Sequence, residues 1–299
     1  SLAPYTIRTM PAPPVDARSF RSEVVSVARC GDDGVILGVR PEVALAAVRA
    51  SRFFMLRRED GTSPLIPRPF SIYRQRGDVL EFLIKVMGRG TQALAEAKPG
   101  MFVRTIGPLG NGWPTLDGGA DGAGAPWVML AGGVGSAPFF MAIEQALAGM
   151  DGAKPAARAQ LHYLFGAAKR GFLYDLEAFE QLGVGVHTAT IDGSAGLRGN
   201  VLQLLDDLQR RGVIPAQVRL LACGPERMLE AVADHAAKRG LECWLSLETL
   251  MGCGVGICNG CPIPTAPDGP RAAWPNVKCC VEGPVFRTDE IRLAALNAH

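Results

Sequence analysis

The eleven residues Met251–Cys261, "MGCGVGICNGC", hold three cysteines and four glycines, with only Met251, Val255 and Ile257 as larger apolar side chains. Such a segment cannot bury a core of its own, and from about residue 243 onward the chain stays short, irregular and rich in Gly, Cys and Pro. Something other than hydrophobic burial has to hold it, and a metal centre does so. Cys253, Cys258 and Cys261 carry the C-x4-C-x2-C spacing of plant-type [2Fe-2S] sites, and Cys279 or Cys280 can supply a fourth thiolate. Gly252, Gly254, Gly256 and Gly260 let the backbone wrap closely enough for amide hydrogens to point at sulfur. Structural zinc favours paired C-x2-C and suits the gap of four less well. A disulfide scaffold is the weakest alternative: it spreads its staples, whereas three of the chain's eight cysteines fall within nine residues.

The texture upstream changes twice. Residues 1–17 are rich in Pro and Ala and read as an arm. From 18 to 114, runs such as "RSEVVSVARC", "GVILGVR", "RFFMLRR", "FSIYRQRGDVLEFLIKV" and "MFVRTIGP" alternate between Gly and Asp turn signals, which predicts an antiparallel barrel or sandwich. "PEVALAAVRAS" interrupts them and reads equally as a helix or a long loop. A Gly-, Asp- and Ala-rich linker follows at 115–126. Over 127–242, the near-continuous apolar strands "WVMLAG", "QLHYLFG", "VGVHTAT" and "VRLLACG" each lead into a helical run: Pro138–Leu147, Leu173–Leu182, Asn200–Arg211 and Pro225–Arg239. That alternation means a parallel sheet covered on both faces. The fold class is therefore mixed β and α/β: an antiparallel barrel, a Rossmann-like domain, and a small C-terminal lobe over 243–299.

Composition narrows the function. The 299 residues are 48% hydrophobic and 20% charged, enough for two or three domains. A formal net charge of +2 without a Lys/Arg stripe excludes the electrostatic footprint of a nucleic-acid binder. With no signal-like start and no run of eighteen apolar residues, a cytoplasmic chain without a membrane segment is expected.

Several stretches carry chemistry. In "LAGGVGSAPFF", Gly132, Gly133 and Gly135 sit at a strand-to-helix turn, where backbone amides can receive a pyrophosphate without obstruction by Cβ. Tight turns need glycine for φ alone as well, and Pro138 stands where a full GxGxxG has its third small residue. "ACGPERM" ends the fourth strand and places Cys223, Gly224 and Pro225 at the carboxyl edge of the sheet, facing the same crevice. "RPFSIY" aligns Arg68, Pro69, Phe70 and Ser71 on an extended segment, an Arg for a phosphate and a hydroxyl or amide for a flavin ring nitrogen. "GRGT" offers Gly90 and Thr91 at a helix start. His162, His187, His235 and His299 show no metal-like spacing.

Taken in order, Arg68-Pro69-Phe70-Ser71, Gly88-Arg89-Gly90-Thr91, "GPLGNGW", "LAGGVGSAPF", "ACGPERM", "SLETLMGCGVGICNGC" and "CCVEGPVF" resemble the electron-transfer subunits of NAD-dependent dihydroorotate dehydrogenases. These are a branch of the ferredoxin reductase-like flavoproteins, and the resemblance runs from about residue 18 to the end. It implies an FAD-binding barrel, an NAD-binding α/β domain and a terminal [2Fe-2S] lobe. It places Arg68 on the FAD pyrophosphate, Ser71 near flavin N5, Phe70 in backbone contact, and Gly90 and Thr91 in the phosphate cradle. Gly133 and Gly135 would line the dinucleotide crevice, and Cys223 would sit near the nicotinamide. The resemblance also selects Cys280 over Cys279 as the last cluster ligand, with Glu282 where the family usually has Asp.

A hydride carries two electrons and a [2Fe-2S] cluster accepts one, so the flavin stands between them. No stretch of chain is left for dihydroorotate, so its oxidation to orotate falls to an FMN-containing partner subunit, in a heterotetramer. A patch around Trp274, Val285 and Phe286 is the expected docking surface. Another acceptor (a hydrogenase, a bifurcating transhydrogenase or an oxygenase) and a zinc-stapled nucleotide-binding module are the alternatives. Lys169 and Arg170, after the second strand, leave NADP open beside NAD.

Overall fold

The computed structural model describes residues 16–60, 64–117 and 124–293. Residues 1–15 of the arm, half of the 115–126 linker and His299 lie outside the described residues.

The first sheet comprises β1 (Arg18–Cys30), β2 (Gly34–Pro41), β3 (Phe53–Arg58), β4 (Arg68–Ser71), β5 (Arg74–Arg76), β6 (Val79–Lys85) and, after helix α1 (Arg89–Ala95), β7 (Phe102–Leu109). Its order is β4-β3-β7-β1-β2-β6-β5, antiparallel throughout. The two edge strands, β4 and β5, are consecutive in the chain and separated only by Ile72 and Tyr73. The sheet therefore curls until its edges meet, a half-closed barrel with Phe54, Phe82, Leu37 and Ile84 fully buried inside. "PEVALAAVRAS" is a loop. Three of its backbone bonds go to side chains of other elements: Val48 N donates to Gln75 Oε1 at 2.8 Å, Ala50 N to Gln145 Oε1 at 2.9 Å, and Gln145 Nε2 to Val48 O at 2.7 Å.

The second unit runs β8 (Trp127–Gly132), α2 (Ala137–Ala148), β9 (Leu161–Ala167), α3 (Leu176–Glu180), β10 (Gly185–Thr190), β11 (Leu197–Arg198), α4 (Val201–Arg210), β12 (Arg219–Cys223), α5 (Glu226–Arg239) and β13 (Cys243–Ser246). All six residues of β8 are buried, as a central parallel strand requires. α4 buries Val201, Leu204, Leu205 and Leu208 along one stripe, and Asn200 and Gln203 form a capping box at its start. α2 and α3 are each preceded by a tight 3-10 turn, Gly133–Ser136 and Arg170–Phe172, so α3 is shorter than the helical run expected from Leu173.

The last segment adds β14 (Pro262–Pro264), β15 (Asn276–Lys278), α6 (Cys279–Glu282) and β16 (Val285–Arg287). β14 and β15 form a small ribbon, whereas β16 returns to pair antiparallel with β13. The sheet order is β11-β10-β9-β8-β12-β13-β16. The chain thus leaves the sheet at Leu247, not at residue 243, and is anchored to it again by Val285. The order of β8 to β13 reverses between β8 and β12, and the carboxyl ends there form the crevice where open α/β sheets take ligands.

Candidate functional site

A cleft of about 340 Å³ opens where all three segments converge. β4 contributes Arg68, Pro69, Phe70 and Ser71, the start of α1 contributes Gly90 and Thr91, and the β8–α2 turn contributes Val134, Ala137 and Pro138. Cys223 stands at the end of β12, and Leu247, Glu248, Thr249 and Met251 lead from β13 toward the cysteines. Pro284 completes the wall from the other side of the cysteine segment.

The flavin-side residues fit a bound anion. Among the described residues no carboxylate pairs with Arg68, whose guanidinium meets only the carbonyl of Ile66. Gly90 makes room for that guanidinium: a Cβ there would lie 2.4 Å from Arg68 Nε. Thr91 is partly spent on its own turn, since its Oγ1 accepts from Met87 N at 2.9 Å and donates to Gly88 O at 2.9 Å.

The glycines divide by task. Gly133, at φ +54, has nothing within 4 Å of where a Cβ would stand and is open to a ligand's approach. Gly135 and Gly132 are consumed in packing, a Cβ on Gly135 falling 2.3 Å from the Cys223 carbonyl oxygen and one on Gly132 falling 2.8 Å from Pro225 Cδ. Gly224 packs in turn on Gly132, with a Cβ there 3.0 Å from the Gly132 Cα. The two loops at the switch point are thus fitted to each other, and Gly224 and Pro225 shape the crevice without lining this cleft.

Cys223 is 3% exposed, and burial pushes its thiol well above the usual range. The side chain is therefore held as a neutral thiol and is not a nucleophile. Sequence reasoning missed Glu248, a carboxylate in the cleft wall that is still open to solvent, with its pKa pushed upward by the protein atoms around it. The signal was its place two residues beyond a strand end of the α/β sheet.

The cysteines come as two pairs. Cys261 and Cys280 hold their sulfurs 3.3 Å apart in a hydrogen bond, which lowers Cys261 to about 6 and raises Cys280. Cys258 N donates to Cys253 Sγ at 3.5 Å. Burial alone would raise Cys253, but amides of Cys258 and Val255 outweigh it and bring the thiol to about 7. Cys279 points away, its Sγ 3.9 Å from Leu247 O, and burial pushes it up. Lys278 ties the two ligand segments together, its Nζ donating to Gly256 O at 2.7 Å. Among the described residues no three His, Cys, Asp or Glu side chains close into a metal-holding group. The donor set fits a four-thiolate cluster nonetheless: two thiols are already acidified by amides or a neighbouring thiol, and Glu282, the carboxylate whose charge reaches Cys261, accepts from Lys278 N at 2.7 Å.

The expected docking patch needs correction. Val285 and Phe286 are 4% and 0% exposed because β16 pairs with β13 at the edge of the sheet and their side chains pack into the core, and only Trp274 reaches the surface. The exposed apolar residues near the cysteines are Leu250 and Ile257. No helix among the described residues is long and apolar enough to cross a membrane.

A curled antiparallel barrel joined to a sheet of this order defines a ferredoxin reductase-like fold. The structure matches that of the NADH-dependent reduced ferredoxin-NADP oxidoreductase with a TM-score of 0.74 at 23% identity, covering 92% of this chain and 91% of that one. A ferredoxin NADP+ reductase from Neisseria gonorrhoeae with bound FAD and NADP matches at 0.58 and 17%, over 74% of this chain and 92% of that one. Residues 248–292 match the iron-sulfur cluster binding domain of dihydroorotate dehydrogenase B. The dihydroorotate dehydrogenase B (NAD(+)) electron transfer subunit of Desulforamulus reducens is 34% identical over 82% of this chain and 87% of that protein. The subunit of the same name from Enterococcus faecalis is 35% identical over 77% and 81%. The chain belongs to this family of electron transfer subunits.

Proposed function

We propose that this chain is an oxidoreductase subunit that passes electrons between NAD(H), FAD and a [2Fe-2S] cluster, coupled to oxidation of dihydroorotate to orotate on an FMN-containing partner subunit. The observation that carries it is the single cleft bounded at once by β4, the β8 and β12 ends, and the Leu247–Met251 segment that runs into the cysteines. FAD, when bound, exchanges the two electrons of a hydride for the single electrons a [2Fe-2S] cluster takes. Arg68 offers an unneutralised cation to the FAD pyrophosphate, and Phe70 and Ser71 face the ring system from β4. Gly133 leaves the dinucleotide a close approach, Cys223 gives the nicotinamide a neutral, close-packing surface, and Glu248 orients its polar edge. Cys253, Cys258, Cys261 and Cys280 hold the cluster.

NAD is read as the dinucleotide from the NAD(+) naming of the relatives; of the two cations after β9, Lys169 is engaged by Asp32 at 2.5 Å, whereas Arg170 has no carboxylate partner among the described residues. None of the eight cysteines forms a disulfide, which suits a reducing cytoplasm. Purified anaerobically, the chain is expected to show flavin and cluster absorbance, to be reduced faster by NADH than by NADPH, and to support dihydroorotate-dependent NAD reduction only with its partner. A colourless, zinc-containing protein would refute the reading.

A further inference from the structure

We propose that Asn111 is the positioning residue that fixes the Cys280 ligand segment against the flavin-side barrel; the inference rests on the electron-transfer reading above. Asn111 follows β7 in "GPLGNGW", and its contacts reach 171 to 174 residues along the chain. Its Nδ2 donates to Glu282 O at 2.9 Å and to Val285 O at 2.8 Å, while Val285 N donates to its Oδ1 at 2.9 Å. Its own backbone N donates to Gly283 O at 2.6 Å. Both side-chain donors and the acceptor are thus bonded to one short stretch of backbone.

That stretch links the two halves of the site. It begins two residues after Cys280 and contains Pro284, which lines the cleft and whose carbonyl accepts from Leu247 N at 2.9 Å. The approach is close on the barrel side as well, since a Cβ on Gly110 would lie 2.6 Å from Gly283 O. The segment that carries the other three cysteines approaches the same corner of the barrel at Gly254: a Cβ there would lie 2.6 Å from Met55 Cγ and 2.9 Å from Leu109 Cδ1. Leu109 ends β7 two residues before Asn111. One barrel corner therefore seats both ligand segments, Cys253–Cys261 by packing and Cys280 by the amide of Asn111. Electron transfer between two bound groups depends steeply on how they are held, and partners behind the ligands set that geometry.

Only an asparagine satisfies all three backbone groups at this reach. Aspartate keeps the shape but loses both donors and turns a carboxylate toward two carbonyls, whereas serine removes the reach with no added charge. The test uses Asn111→Asp and Asn111→Ser in the full chain, purified anaerobically with its cofactors. The readouts are hydrogen exchange across residues 279–286, iron loss to a chelator, the spectrum of the reduced cluster, and stopped-flow traces that separate flavin reduction by NADH from cluster reduction. Asn111→Ser is expected to lose amide protection at Val285, whereas Asn111→Asp keeps that acceptor and loses only the two donors; both variants are expected to release iron faster and shift the cluster spectrum. Flavin reduction should stay at the wild-type rate while cluster reduction slows at least about tenfold. Wild-type exchange at Val285 in Asn111→Ser, or unaltered cluster spectrum and cluster reduction in both variants, overturns the proposal. A wild-type chain without iron would defeat the electron-transfer reading itself, and the exchange at Val285 would still show whether Asn111 clamps the segment.

Discussion

Gly135→Ala probes how closely the two loops of the dinucleotide crevice are fitted. A Cβ at Gly135 would stand 2.3 Å from the carbonyl oxygen of Cys223 and 2.6 Å from the amide nitrogen of Gly224. Carbon and oxygen rest no closer than about 3.3 Å, so the loops must part by about 1 Å. Both atoms belong to backbone, and no change of rotamer can relieve the contact. Forcing a methyl into such a site costs about 1–3 kcal/mol. For a protein of this size the thermal midpoint should fall by roughly 2–5 °C. A displacement of about 1 Å at the reacting groups lowers transfer by on the order of 100-fold.

Gly133→Ala is the matched control. Its Cβ meets nothing within 4 Å, so the chain bears only the left-handed strain at φ +54, about 1–2 kcal/mol. Thermal scanning and anaerobic stopped-flow reduction of the flavin by NADH measure both variants. Gly135→Ala should lose stability and rate together, and Gly133→Ala should show its larger effect on NADH binding. A Gly135→Ala protein with wild-type midpoint and wild-type reduction rate would refute the close-approach account.

Cys280→Ser should lose the cluster and Cys279→Ser should keep it, as read by iron content and visible absorbance; the reverse result would reassign the fourth ligand. Arg68→Gln removes charge-assisted bonds worth about 1.5–3 kcal/mol, so FAD should bind about 10–100-fold more weakly, and equal flavin retention on gel filtration would count against the phosphate role. His162 is held below the usual histidine range by burial and then by His187, and His187 by burial and then by Arg211. The unfolded chain then binds more protons as the pH drops below about 6.5, so stability present above that pH is lost as it falls through the depressed folded values. His162→Gln should flatten this dependence in pH-resolved melting curves, and an unchanged slope would exclude it. Chelating the iron should make the 251–261 backbone sensitive to protease while the β8–β12 core keeps its exchange protection; simultaneous loss of both would show that the cysteine segment supports the whole sheet.

Much of the site was legible in the chain because it is written in local spacing. The C-x4-C-x2-C run, the all-apolar "WVMLAG" followed by glycines, and the Arg68–Ser71 segment each express a constraint that acts over a few residues. Periodicity alone separated barrel from α/β sheet, since alternation and continuous apolar runs reflect one or two buried faces. What depends on contacts between distant segments was not legible. The "PEVALAAVRAS" loop is decided by Gln75 and Gln145, and β13 and β16 join the sheet by hydrogen bonds that no local pattern announces. Val285 and Phe286 look like a surface patch until that pairing buries them. Glu248 becomes a cleft residue only because three segments meet around it, and Asn111 gains its role from backbone groups 171 to 174 residues away. The sequence by itself determined which groups the chain can bind, because ligand chemistry resides in residue type and short spacing. Only the tertiary structure decided how those groups are held against one another, because a hydrogen bond across the fold leaves no periodic trace in the residues that make it.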